Sequence, residues 1–535
     1  MTTGGRDPYS GFGTPPVPGQ RPSFATPPAR ASAPAASPLA GDAPVWELPR
    51  VVLASPASGQ GTSTVAVGVM AALTARGLKV SPHKVGPDYL DPGAHALACG
   101  RTGRNLDPWL VGEHRVAPLF VHGARVPTLA DVAVVEGAMG LHDGRVGNGW
   151  FASTAHVAAL LDAPVVLVVD VSTQARSAAA VVLGMRSFDS RVRVAGVILN
   201  CAGSDRHTRL LREAMAEVGA PVLGIMRRDA TLSLPSPHAG QVPTAEREAQ
   251  ARTQVRQLGD AVAASVDLEA LLALARSAPP LRSGSWDPQA ELAATPSGPV
   301  IARAGSQWAP SAHVPVPGPA RWSGSPTEAM AQARQDRDSR PVIAVARGAA
   351  FSFSYAENTE LLEAAGARVV EFDPLRAPGL PDRTKAVVLG GGFPEEHAEP
   401  LSANRVLLSD LWSFDGPIVA ECGGLLYLGQ RLDGVPMIGR LPIMSSTTPN
   451  VTAGYREATA PSDSVLAERG ATVRGHEFHR TRTDPSSGEV AAWQFDLGGK
   501  QGFVQGWVHA SYLHLNWAGH PWIASRLVEA TLARL

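Results

Sequence analysis

Ile418-Val419-Ala420-Glu421-Cys422-Gly423-Gly424-Leu425-Leu426-Tyr427 joins two apolar runs through one cysteine and two glycines. The pattern predicts a buried strand, a sharp turn and a helix. Ala420 and Gly424 stand two positions before and after Cys422, where a nucleophile turn admits only small side chains. Such a turn lifts the sulfur above the sheet edge. The helix N-terminus behind it favours a thiolate and offers backbone N–H groups to a developing oxyanion. The competing reading is a buried free cysteine without chemistry.

The flanking sequence favours chemistry. Buried-strand patterns at Pro341 to Ala346, Arg368 to Phe372 and Ala386 to Leu389 alternate with a helical pattern over Ala356 to Ala365. Alternation of this kind means a parallel sheet covered by helices. The strand ending at Leu389 runs into Gly390-Gly391-Gly392-Phe393-Pro394-Glu395. Backbone N–H groups of Gly391 and Gly392 can complete an oxyanion hole with Gly423. A cysteine nucleophile needs a base. Trp507-Val508-His509-Ala510-Ser511-Tyr512-Leu513-His514 supplies two candidates, His514 and His509.

The first half begins with the short strand pattern Arg50 to Ala54. Ser55-Pro56-Ala57-Ser58-Gly59-Gln60-Gly61-Thr62-Ser63-Thr64 follows, then a helical pattern over Val65 to Arg76. Strand, Gly-rich loop and helix form a phosphate cradle, with a Ser/Thr hydroxyl able to reach Mg²⁺. The lysine of a full phosphate-loop motif is missing, because Thr62 stands in its place. Lys84, at the end of the next strand pattern, is the candidate replacement cation. Lys84-Val85-Gly86-Pro87-Asp88-Tyr89-Leu90-Asp91-Pro92-Gly93 reads as an acidic active-site loop with poor helical character. A further strand, Asp131 to Val135, runs into Glu136-Gly137-Ala138-Met139-Gly140-Leu141-His142-Asp143-Gly144. Carboxylates at the carboxyl end of a parallel strand sit where such sheets bind ligands. Glu136 and Asp143 are therefore candidate Mg²⁺ or substrate groups. Asn200, after the strand Val194 to Leu199, can read an adenine edge or simply make a turn. The expected fold class is α/β, with a doubly wound parallel sheet in the first half and a further α/β domain in the second.

At 535 residues, 44% of them hydrophobic, the chain has room for two domains. Residues 1–47 are rich in Pro, Gly and Ala and are expected to be a disordered tail. Residues 48–275 then form the first domain, 276–339 a linker with some order in it, and 340–535 the second. A net charge of -1 points to no nucleic-acid or anionic-membrane partner. Cys99, Cys201 and Cys422 are few, odd in number and far apart, which fits a reducing cytoplasm without disulfides. No apolar run is long enough for a membrane-spanning helix.

These motifs, with Arg228-Asp229, Leu234-Pro235-Ser236-Pro237-His238 and Arg474-Gly475-His476-Glu477-Phe478-His479, make the chain resemble the cobyrinate/hydrogenobyrinate a,c-diamide synthases of corrinoid biosynthesis. The likeness runs from about residue 49 to the C-terminus, outside the linker. It implies a P-loop-like, dethiobiotin-synthetase-like ATP domain followed by a class I glutamine amidotransferase-like domain. It implies L-glutamine, ATP with Mg²⁺, and hydrogenobyrinate or cobyrinate as the small-molecule substrates, in a possible homodimer. By resemblance, Cys422 is the nucleophile and His514 its base. Ser58, Gly59, Gly61, Thr62, Ser63, Thr64, Lys84 and Asn200 face ATP, and Ser63 and Glu136 hold the metal. Asp88, Tyr89, Leu90, Asp91 and Asp143 present the ring carboxylates. The sequence departs from many class I relatives in having Asn516, not glutamate, two residues after His514, so the resemblance implies a Cys-His dyad. Cobyric acid synthase, sirohydrochlorin a,c-diamide synthase and a nucleotide-dependent switch with an inactive glutaminase are the rival readings.

Overall fold

The computed structural model of the chain describes residues 43–232, 248–294, 340–496 and 498–533. The run from Leu234 to His238, a short helix expected over Thr327 to Arg334 and most of the N-terminal tail lie outside those residues.

Runs of Val, Leu and Ile without polar alternation must be buried on both faces. Such runs supply most of the seven strands of the first sheet: β1 (Arg50–Ala54), β2 (Val80–Val85), β3 (Arg104–Leu106), β4 (Val132–Glu136), β5 (Val165–Asp170), β6 (Val194–Ala202) and β7 (Val222–Arg227), while β2 and β3 carry buried polar side chains. They are all parallel, in the order β3-β2-β4-β1-β5-β6-β7. The strand order switches around β1, so the loops after β1 and β4 open into one crevice at the carboxyl edge. Helix α1 (Thr62–Ala75) starts one residue after Gly61, whose φ of 82° suits glycine.

Two expectations for this half need correction. Asp91 does not lie in a wholly irregular loop but opens helix α2 (Asp91–Cys99). Pro92 is no obstacle there, since the first turn of a helix leaves its N–H groups unpaired anyway. Lys84 lies inside β2 and not at its end. The short α3 (Pro108–Val111) follows β3 and is capped by the Asp107 side chain. Helix α4 (Glu248–Ser265) covers α1 closely: a Cβ on Gly68 would come within 2.5 Å of a Val262 side-chain carbon. The stretch expected as linker begins as ordered chain. Leu281 and Arg282 pair with Val45 and Trp46, and Glu291 meets Arg115 at 2.9 Å.

The second half holds β8 (Val342–Ala346), β9 (Arg368–Phe372), β10 (Thr384–Leu389), β11 (Ile418–Glu421), β12 (Met444–Thr459), β13 (Thr472–Asp484), β14 (Phe503–Gln505) and β15 (Val508–Ser511). Its main sheet runs β9-β8-β10-β11-β15-β14, parallel except for the β14–β15 pair. Helix α5 (Ala356–Ala364) packs beside β9, and α6 (Gly423–Leu428) follows β11. The long hairpin β12–β13 belongs to a separate antiparallel sheet. Its Thr-, Ser- and Arg-rich strands mix exposed, half-buried and buried positions, so no apolar run announces them.

The two sheets share one apolar core. Leu110 and Val111 of the first half and Leu361, Leu513 and Trp517 of the second belong to a single buried cluster. An ion-pair network crosses the same boundary. Arg104 of β3 reaches Glu357 at 2.7 Å and Glu360 at 2.5 Å on α5, and His122 also meets Glu360. Arg104 and Glu357 side chains are 3% and 1% exposed. Among the described residues no helix is long and apolar enough to cross a membrane.

Arg104→Met strands Glu357 as a buried, unpaired acid, so we expect a loss of about 3–5 kcal/mol in urea unfolding. Adding Glu357→Gln should restore part of that loss. Equal stability of Arg104→Met and the parent would remove the network from any role in holding the halves together.

Candidate active site

The turn after β11 has the expected form. Cys422 adopts φ 47° and ψ −100°, a strained backbone for a residue with a side chain. Its N–H donates to the Ser511 carbonyl of β15 at 2.8 Å. Gly424 must be small, because a Cβ there would lie 2.3 Å from the Leu389 carbonyl oxygen. Its N–H donates to the Gly390 carbonyl at 3.0 Å, and a Cβ on Gly423 would sit 3.0 Å from the Gly392 nitrogen. The triple-glycine loop and the cysteine turn therefore interlock through backbone. Gly391 faces His514 so closely that a Cβ would come 2.2 Å from the ring carbon Cε1.

His514 is held beyond β15 by a two-way backbone bridge with His476, at 3.0 and 2.9 Å. Burial, then the neighbouring His476 and His479, push its pKa down to about 3, so the ring is neutral. Its Nε2 is buried without a partner, and its Nδ1 lies 4.0 Å from Glu421 Oε2. Burial pushes the Glu421 carboxyl up to about 8. Cys422 is 3% exposed, and burial followed by the Glu395 charge raises its thiol pKa strongly. The Gly423 N–H opposes this shift without overcoming it, so the helix N-terminus does not hold a resting thiolate. His509, the other candidate base, is turned to Ser464 Oγ at 2.9 Å and packs edge-on against Trp493. It belongs to the core.

In the first half, four side chains converge under the loop after β1. Ser63 Oγ donates to Glu136 Oε1 at 2.6 Å and to Asp91 Oδ2 at 3.2 Å. The Lys84 ammonium lies 2.6 Å from the same Glu136 oxygen and 2.7 Å from Asp91 Oδ2. Burial alone would lower the Lys84 pKa, but Asp91 and Glu136 outweigh it and raise it. Burial likewise would raise the Glu136 pKa, but Lys84 and His95 hold it below the usual carboxylate range. Asp91 is shifted the other way, by burial and by Asp88. His95 Nε2 meets Glu136 Oε2 at 2.5 Å, a contact the sequence reading missed because a lone helical histidine carries no signal.

The remaining expected residues distribute around this cluster. Asp88 caps its own loop, accepting from Leu90 and Asp91 N–H at 2.8 and 3.0 Å. Asn105 holds the Gly86 and Asp88 carbonyls at 2.8 and 2.7 Å. Asp143 caps Gly140 N–H at 3.0 Å. Asn200 donates to the Gln60 carbonyl at 3.0 Å and touches Gly61, so its amide braces the glycine loop. Ser58, Gly59, Thr62 and Thr64 line that loop or the first turn of α1, with Ser58 Oγ 3.3 Å from Met139 Sδ.

Tyr89 links the two clusters. Its ring lies 4.5 Å from the His514 ring and stacks on Phe353 at 5.1 Å, and its hydroxyl is 3.2 Å from Tyr355. A residue of the first half's acidic loop thus forms a wall of the cysteine site. Glu421, Glu395, Phe353, Tyr355 and the histidines at 476 and 479 are site residues to which sequence reasoning gave no role.

Two family models match the chain. One, the CobQ/CobB/MinD/ParA nucleotide binding domain, covers residues 51–239, and the other, the CobB/CobQ-like glutamine amidotransferase domain, covers residues 342–522. A Streptomyces coelicolor protein named hydrogenobyrinate a,c-diamide synthase is 52% identical over 90% of this chain and 97% of its own. A Thermobifida fusca protein of the same name is 49% identical over 92% and 98%. A Gloeobacter violaceus protein named cobyrinate a,c-diamide synthase is 40% identical over 90% and 97%.

Lys84→Met leaves Glu136 and Asp91 buried without their cation. We expect about 3–5 kcal/mol of lost stability in urea unfolding. An unchanged midpoint would show that the ammonium does not neutralise the cluster.

Proposed function

The chain belongs to the hydrogenobyrinate a,c-diamide synthase family, and from that premise we propose a ring substrate, a division of labour between the two clusters and a role for each residue. It is a glutamine-hydrolysing amidotransferase of cobalamin biosynthesis. The ring substrate is metal-free hydrogenobyrinate, amidated at its a and c acetate carboxylates. What supports this is the gradient among relatives: those at 44–52% identity carry the hydrogenobyrinate name, and those at 35–40% the cobyrinate name.

The observation that carries the chemistry is the interlocked turn. Cys422, the glycine loop and His514 meet where a glutamine side-chain amide can enter. Neutral His514 takes the thiol proton, and the sulfur attacks the amide carbon. Backbone N–H groups of Gly423 and of the Gly391–Gly392 loop stabilise the oxyanion. His514 returns the proton to the leaving nitrogen, and ammonia departs. Water then cleaves the thioester to release glutamate.

In the first half ATP lies along the Ser58–Thr64 loop. A ring carboxylate presented by Asp88, Tyr89, Leu90, Asp91 and Asp143 attacks the γ-phosphorus and expels ADP. Ammonia adds to the acyl phosphate and phosphate leaves. Activation is required because a free carboxylate has no leaving group for ammonia to displace. Lys84 stands in for the lysine absent at Thr62. The oxygens of Ser63 and Glu136 converge to 2.6 Å with Asp91 beside them, a donor set suited to Mg²⁺. Ser63 and Glu136 would hold the ion beside the nucleotide, where it would supply charge neutralisation at the phosphates.

Purified protein with ATP, Mg²⁺ and glutamine should add two amides to hydrogenobyrinate, read by mass spectrometry, faster than to cobyrinate in a parallel tube. The reverse preference would overturn the choice of ring. Cys422→Ala should abolish glutamine-driven amidation and leave amidation by ammonium salts. Loss of both would contradict separate half-reactions. Because burial holds His514 near 3, the acid limb of kcat/KM for glutamine should lie well below pH 6.5. A limb at 6.5 would mean that the working base is solvated.

A further inference from the structure

Two arginines lie over one indole at the boundary between the sheets. The guanidinium carbon of Arg145 is 3.8 Å from the ring centre of Trp109, and that of Arg474 is 4.4 Å. Arg145 directly follows the glycine-rich run after β4, and Arg474 lies on β13 in the second half. Trp109 itself sits on α3 and is buried. Neither guanidinium is neutralised at hydrogen-bond distance. Arg145 Nη1 donates to the Asn148 amide oxygen at 2.7 Å, and Arg474 Nε comes no nearer than 3.7 Å to Glu457. By contrast, Arg456 nearby is tied to Glu477 at 2.7 Å. Stacking on an aromatic face leaves the in-plane N–H edges of a guanidinium free to bind carboxylates.

The pair ends a wall of rings that begins at the acidic loop. Tyr89 lies 6.2 Å from His476, His476 5.6 Å from Tyr455, and Tyr455 6.0 Å from Trp109. Tyr89, His476 and Tyr455 are each partly exposed, so the wall has an open side. Tyr455 is fixed by its hydroxyl, which donates to Asp107 at 2.8 Å, and Asp107 also caps α3 beneath Trp109. His476 is neutral, its pKa pushed to about 4 by burial and by Arg456. The wall therefore offers a row of rings, tilted 44–68° to one another, with two guanidinium groups at one end whose nearest carboxylate is Glu457, 3.7 Å from Arg474.

We propose that Arg145 and Arg474, held on Trp109, bind the peripheral carboxylates of the ring substrate that are not being amidated. The proposal rests on the reading of the substrate as hydrogenobyrinate, a macrocycle rimmed with acetate and propionate acids. The acidic loop can phosphorylate only the carboxylate placed before it. A second anchor on the far rim fixes which carboxylate that is. Arg145 comes from a loop of the first half and Arg474 from a strand of the second, so the anchor exists only when the halves are assembled.

The test is equilibrium binding of hydrogenobyrinate, followed by its absorbance, to the full-length protein and to Arg145→Gln, Arg474→Gln and the double variant. A peripherally esterified ring serves as the neutral control. Thermal midpoints establish that each variant is folded, and Arg→Lys at both sites replaces any that is not. We expect the dissociation constant for the acid ring to rise about tenfold per arginine removed. The esterified ring should bind all forms alike, and the double variant should lose most of the salt dependence seen with the acid ring. Unchanged affinity for the acid ring in folded variants, while the parent protein binds and amidates it, would overturn the anchor alone. Failure of the parent protein to bind the ring would overturn the anchor and the substrate reading together.

Discussion

The buried ion pair between Arg104 and Glu357 fixes more than its own two residues. Each partner is followed in sequence by an asparagine that works on a different site. Asn105 holds the Gly86 and Asp88 carbonyls and so sets the acidic loop. Asn358 donates to the Leu515 carbonyl at 3.1 Å and accepts from Trp517 N–H at 2.9 Å, bracing the segment that carries His514. The contact thus registers the cysteine turn and the Lys84 cluster against each other. Tyr89 is then free to lie on the His514 ring because both of its supports are already placed. The desolvation cost of the pair is offset by the second carboxylate, Glu360, which takes hydrogen bonds from both terminal nitrogens of the guanidinium.

The cysteine site is at rest in a neutral state. The thiol keeps its proton because it is buried, and the histidine lacks one for the same reason. Glu421 is also biased toward its protonated form. A nucleophile and base that both rest uncharged can be closed off from water at little electrostatic cost. The opposite solution is used in the nucleotide half. There Lys84 is kept charged by carboxylates, and Glu136 is kept charged by Lys84 and His95. The missing phosphate-loop lysine is consistent with this arrangement, since a cation already stands beneath the loop.

Much of this was legible in the chain. Most strands of the two main sheets announce themselves as Val- and Leu-rich runs, and the Cys422 turn follows from small residues at two flanking positions. The grouping of Ser63, Lys84 and Glu136 follows from motifs that end adjacent strands. What was hidden depends on pairing across long separations or on polar surface. The β12–β13 hairpin is built from Thr, Ser, Arg and Glu with few fully buried positions, so its hydropathy does not differ from a loop. The Asp91 helix was obscured by Pro92, which reads as a breaker unless the first turn is known. Glu421 was read as part of the turn, because only the fold brings its carboxylate to within 4.0 Å of His514. Tyr89 was expected to face the ring substrate, and nothing local says that its ring also meets His514.

The apolar cluster that runs unbroken from Leu110 to Trp517 has a consequence for how such a protein can be inherited. Either half alone would present this surface to water, together with half of an ion-pair network. Recombination that exchanges one half for a homologue's must therefore match the partner's packing and charges at the same time. Selection should act on the pair of halves as one unit, and a lineage that divides the gene in two is committed to an obligate complex from its first generation.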